Sequence, residues 1–101
     1  MVVAHIARGW HINAHRPAQS YLIPSEVRFV LPPGVDVEAV RYPAPQRKAM
    51  TFAGGEELLV HTGDVAMSTT LLLPPTFAPD RVRVETGFRY QACNDTTCLP
   101  P

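Results

Sequence analysis

Proline and glycine interrupt this chain so often that no stretch can run far in one conformation. Eleven prolines and six glycines are spread over 101 residues, and an interior proline both removes a helical hydrogen bond and clashes with the preceding turn. No segment offers ten or more residues with helical period and a cap, apart from a weak, glycine-rich stretch near Glu56. Between the breaks lie short runs of β-branched and aromatic residues, the texture of strands and turns.

Val2 to Arg8 reads as a strand ended by Gly9, and Trp10 to Ala14 as a second one halted before Pro17. Glu26 to Leu31 alternates cleanly until Pro32-Pro33-Gly34, a turn by composition. Val35 to Tyr42 alternates again, whereas 43–55 reads as a loop holding one aromatic, Phe52. Glu57 to His61 and Val65 to Leu73 fit two strands of an antiparallel hairpin about Thr62-Gly63-Asp64. From Val82 onwards Val84, Thr86, Phe88, Tyr90 and Ala92 fall on one face, which is expected to be core, and Arg83, Glu85, Arg89 and Gln91 fall on the other. The same count puts Cys93 on the polar face and Cys98 near the surface. About seven strands with turn signals roughly every ten residues predict one all-β domain, an antiparallel β-sandwich with little helix.

The apolar share, 46%, is enough for one modest core at this length. Nine basic residues balance nine acidic ones, so the chain lacks the electrostatic footprint of a nucleic-acid binder. No apolar run approaches the ~20 residues needed to span a bilayer, and the domain itself is expected not to be membrane-embedded and to be monomeric. The opening residues lack the basic and apolar regions of a secretory signal. The chain stops at Pro101 just after Cys98, and is read as a fragment of a longer membrane-anchored protein.

Cys93 and Cys98 hold the only recognisable chemistry. A disulfide between them needs Cα atoms roughly 4.4 to 6.8 Å apart, which a folded-back loop allows. Closing so small a ring removes chain entropy worth only on the order of 2 kcal/mol, so it is an inefficient staple. Three readings stand on spacing alone: a redox pair, a permanent local disulfide, and a zinc or copper site drawing nitrogen from His5, His11, His15 or His61. Against the last, His11 and His15 on one strand would lie about 13 Å apart, and the histidines are read as surface or edge residues. No Gly-rich phosphate loop, nucleophile elbow or evident carboxylate pair accompanies them.

Gly9-Trp10-His11-Ile12-Asn13-Ala14, Pro32-Pro33-Gly34-Val35, Tyr42-Pro43, and above all Tyr90-Gln91-Ala92-Cys93 followed by Cys98-Leu99-Pro100-Pro101 carry a family likeness in the same order along nearly the whole chain. Together they resemble the N-terminal periplasmic domain of DsbD, the bacterial thiol:disulfide interchange protein. The resemblance implies an immunoglobulin-like sandwich that needs no cofactor. It implies a protein-disulfide reductase component of the periplasm, tethered to the inner membrane through a downstream segment and linked to cytochrome c biogenesis. Such a domain takes electrons from a thioredoxin-like domain of the same polypeptide and passes them to oxidised client proteins. Cys93 and Cys98 would be the relay pair, with Cys98 forming the mixed disulfide and Cys93 resolving it. Phe52 of Phe52-Ala53-Gly54 would be the aromatic of a cap loop that shields them. Two departures stand out: the best-known members carry one more residue between the cysteines, and Met50 and Thr51 replace acidic residues beside the cap aromatic.

Overall fold

The computed structural model describes residues 1–49, 55–75 and 83–101. Among them are ten strands and no helix: β1 (Val2–His5), β2 (His11–Asn13), β3 (Glu26–Val30), β4 (Asp36–Val37), β5 (Gln46–Ala49), β6 (Glu57–His61), β7 (Asp64–Met67), β8 (Leu71–Leu72), β9 (Glu85–Arg89) and β10 (Ala92–Cys93). Every pairing between them is antiparallel. The fold is all-β, as the punctuation of the sequence predicts, and consistent with the immunoglobulin-like architecture that the family resemblance implies.

The strands form a four-stranded sheet in the order β10-β2-β6-β5 and three two-stranded pairs, β1-β7, β3-β9 and β4-β8. Val27, Val65 and Met67 bury one core between β3 and β7, flanked by Val2, Ala4, Ile6, Phe29 and Phe88. Leu58 and Val60 of β6, fully buried, form a second cluster beneath Leu22. Leu22 lies in the long connection from β2 to β3, and hydrogen bonds hold that connection against the sheet. Ser25 Oγ donates to Asn13 O (2.6 Å), Asn13 Nδ2 to Ile23 O (2.9 Å), and Ala14 N to Leu59 O (2.9 Å). Such bonds are what make buried Asn13 and Ser25 tolerable, because a buried polar group without a partner costs free energy.

Pro32-Pro33-Gly34 turns the chain as expected, with Val35 N bonding Pro32 O at 3.2 Å and Gly34 at φ +81°, a conformation other residues rarely adopt. Three other expectations are corrected. The stretch from Val35 to Tyr42 is not one strand. It pairs with 68–72 through β4 and again at Arg41, but Ala39 and Val40 stand opposite the single residue Thr69, so a bulge interrupts it. Residues 46–49, read as loop, form the edge strand β5. The two strands around Thr62-Gly63-Asp64 do not pair with one another: β6 joins β2 and β5, whereas β7 joins β1, and Val65 to Leu73 itself divides into β7 and β8.

Candidate active site

Cys93 ends β10, and the chain reverses at once to bring Cys98 directly opposite it as an antiparallel bridge. Asn94 N donates to Thr97 O and Leu99 N to Ala92 O, each at 2.9 Å. These bonds flank the cysteines, which therefore occupy a non-hydrogen-bonded position of the ladder, where Cα atoms approach to about 4.5 Å and side chains stand closest. Cys93 and Cys98 are joined by a disulfide with a Cα separation of 4.0 Å.

The turn between them is built by Asn94. Its Oδ1 accepts from Thr96 N (2.9 Å), Thr97 N (2.8 Å) and Thr96 Oγ1 (3.2 Å), an Asx-type arrangement that reverses the chain without a glycine. Gln91 Nε2 donates to Leu99 O at 3.2 Å and ties the two arms once more.

The two sulfurs sit in unlike surroundings. Cys93 is 3% exposed, whereas Cys98 lies in the exposed arm of the hairpin. Cys93 had been expected on a polar face, and its burial is a correction. The alternation itself is sound, since Phe88, Tyr90 and Ala92 line one open cavity of about 510 Å³ together with Ile6, Trp10 and Ile12. What differs is that the chain passes from β9, paired with β3, to β10, paired with β2, and both faces of β2 are covered. Tyr90, expected in the core, is 46% exposed at the rim of that cavity and stacks on Phe88 with ring centroids 5.4 Å apart.

Register assigns the neighbours. Cys93 faces His11, Ile12 faces Ala92, Asn13 faces Val60, and Lys48 faces Leu58. Cys93, His11, Asn13, Val60, Leu58 and Lys48 thus share one face of the four-stranded sheet, while Ile12, Ala92 and His61 share the other. His11 and His61, read from the sequence as surface or edge residues, are 1% and 5% exposed. Burial pushes the His11 imidazole below the ordinary histidine range, the Lys48 charge adds to the shift, and Asp95 in the cysteine turn opposes it. Burial alone lowers His61. Both rings are therefore neutral at neutral pH. The other two histidines lie outside the core: His5 pairs with Asp64 at 2.8 Å in the open, and half-buried His15 stacks on Tyr42 at 3.9 Å.

Of the residues expected at the site, the fold brings Cys93 and Cys98 together, and Phe52 lies outside the described residues. Among the described residues no group of three His, Cys, Asp or Glu side chains is placed to hold a metal ion. Two contributors escaped sequence reasoning: the buried His11, and the opposed charges of Lys48 and Asp95 that act on it. The turn at Asn94-Asp95-Thr96-Thr97 is legible in the sequence, because Asn followed by Thr at two and three residues is an Asx-turn composition.

An exposed cysteine bonded to a buried one is suited to thiol–disulfide exchange, in which a thiolate attacks one sulfur and the other leaves. Among the described residues no helix is long and apolar enough to cross a membrane. Comparison with curated proteins and with solved structures returned no match. A family model described as thiol:disulfide interchange protein DsbD, N-terminal, matches residues 2–101. A match over that span, ending in a closed cysteine pair, places the chain in the DsbD N-terminal family, as a thiol–disulfide exchange module.

Proposed function

We propose that this domain is an electron relay of the periplasm, reduced by a thioredoxin-like domain of the same polypeptide and reoxidised by disulfide-bearing client proteins. The observation that carries the reading is the unequal exposure of the bonded pair, Cys93 buried and Cys98 open. A partner thiolate attacks Cys98 Sγ, the Cys93–Cys98 bond breaks, and its electron pair leaves on Cys93. The partner's second thiol, as thiolate, then attacks the partner sulfur bound to Cys98, which departs as thiolate. The partner ends as a disulfide and the domain as a dithiol.

Delivery runs the same steps backwards. The Cys98 thiolate attacks a client disulfide, one client sulfur leaves as thiolate and takes a proton from water, and a mixed disulfide remains. Cys93 then attacks Cys98 Sγ, reforms the internal bond and releases the second client sulfur. Two electrons pass from domain to client, and no cofactor takes part.

Tyr90 and Leu99 are 46% and 49% exposed beside this hairpin and give a partner apolar surface to seat against. By family resemblance Phe52, three residues beyond β5 in the sequence, shields the pair between encounters. The resemblance likewise supports tethering to the inner membrane.

The reduction potential of the pair tests the relay. Equilibration of the domain in glutathione or dithiothreitol buffers, with free thiols counted by mass after alkylation, is expected to give a value between roughly −270 and −180 mV. A potential below about −300 mV would mark a permanent structural bridge and defeat the proposal. For the shield, Phe52→Ala is expected to speed oxidation of the dithiol by small disulfides, and unchanged kinetics would remove Phe52 from the site.

A further inference from the structure

Resolution of a mixed disulfide by a buried thiol needs a destination for the thiol proton. Water serves poorly at Cys93, which is 3% exposed, and a thiolate formed there without a compensating charge would bear a large burial cost. We propose that His11 is the general base for Cys93, taking the thiol proton as Cys93 attacks Cys98 in the mixed disulfide and returning it when Cys93 leaves in the reverse step. The inference rests on the reading that Cys98 holds the partner and Cys93 resolves it.

Register carries the assignment. Cys93 and His11 are direct cross-strand partners of β10 and β2, so their side chains rise from the same face with Cβ atoms about 4.5 to 5.5 Å apart. Both are enclosed, with His11 1% exposed. A neutral imidazole offers a lone pair on one ring nitrogen, and burial keeps His11 neutral in the oxidised protein. The charged or titratable groups facing His11 among the described residues come from three elements: Cys93 from β10, Asp95 from the turn, and Lys48 from β5. On β6, His61 stands on the opposite face, beside Ile12. Lys48 as an ammonium has no acceptor to offer, and Asp95 lies in the exposed turn. Asp95 is placed to favour the imidazolium once it forms.

The balance closes on named atoms. Cys93 S–H passes its proton to the His11 ring, the Cys93 electron pair bonds Cys98 Sγ, and the partner sulfur leaves with the pair from the broken bond. That thiolate takes a proton from water, and the imidazolium returns its own to solvent.

The test uses the reduced domain with excess 5,5′-dithiobis(2-nitrobenzoate), whose two aryl thiolates report two steps. Attack by Cys98 is first order in reagent, and resolution by Cys93 is independent of reagent concentration. His11→Gln is expected to leave the first step unchanged and to slow the second about tenfold or more at neutral pH. In that variant the second rate should climb tenfold per pH unit where the wild type is nearly flat. Equal second-step rates and equal pH profiles would overturn the proposal. Cys93→Ala separates its failure from that of the underlying reading. One released thiolate supports Cys98 as the attacking residue, and none means that the order of the cysteines, not His11, is wrong. If His11→Gln does not fold, the wild-type protein suffices. The His11 ring proton shifts, followed by NMR against pH, should titrate at clearly different pH in the oxidised and reduced forms, and identical titrations would refute a shared proton.

Discussion

Cys93 and Cys98 face each other across the narrow position of a hairpin, yet the first is buried and the second is exposed. Two residues in direct register ordinarily share an environment. Here they do not, because Cys93 is hydrogen-bonded into the ladder with β2 while Cys98 stands in the outermost arm, with β10 on one side only.

That difference predicts unequal reactivity in the reduced protein. Alkylation rates follow access and thiolate fraction, so iodoacetamide should modify Cys98 about tenfold faster than Cys93 or more. Peptide mass mapping after short exposures measures the ratio directly. Equal rates would mean that reduction opens the hairpin, and the polarity of the exchange would then have no structural basis.

Asn94 holds the arms at bonding distance through two backbone N–H groups and one hydroxyl. Each such bond contributes on the order of 1 kcal/mol net. Asn94→Ala is therefore expected to weaken the closed hairpin by about 1–2 kcal/mol, which raises the reduction potential by about 20–40 mV at ~30 mV per 1.4 kcal/mol. Asn94→Asp retains the acceptor oxygen and should restore most of the difference. A potential unmoved by Asn94→Ala would show that the disulfide alone shapes the turn.

The likeness between what the sequence promised and what folds is uneven for physical reasons. β3 and β6 were legible, since Glu26 to Val30 alternates and Glu57 to His61 is an apolar run between turns. β5 was hidden because Gln46, Arg47 and Lys48 are polar, as suits a strand at the edge of its sheet, where charge discourages further pairing. The pairing of β6 and β7 was misread because a short turn usually joins partners, whereas here it passes the chain from one sheet to another. At the site, the cysteine pair and its chemistry were readable from residue types and family likeness. The burial of His11, His61 and Cys93 was not, because hydropathy registers whether a side chain prefers water, and these are enclosed by elements that cover both faces of β2.

Leu99 follows the reactive cysteine and is 49% exposed, next to Tyr90 at 46%. On the proposed relay, apolar side chains at that position would give a protein partner a surface to seat against. Leu99→Asp should therefore slow reduction by a thioredoxin-like protein several-fold, while reduction by dithiothreitol stays within about twofold. A parallel loss with both reductants would assign Leu99 to the integrity of the hairpin instead.

His11 and His61 enter the fold neutral, with burial the principal cause in each case. In the unfolded chain each titrates near 6.5, and the folded value lies below that. Above about pH 7 both states are unprotonated and the pair costs nothing. As pH falls through 6.5 the unfolded chain gains protons that the folded one refuses, so stability declines, by at most about 1.4 kcal/mol per pH unit for each ring. Urea midpoints of the oxidised domain should accordingly drop between pH 7 and pH 5, before most carboxylates titrate. His61→Leu removes one contributor on the face away from the cysteines and should reduce that slope by up to half. If His61→Leu leaves the slope intact, His61 is protonated within the fold without penalty, and its enclosure beside Ile12 does not persist in solution.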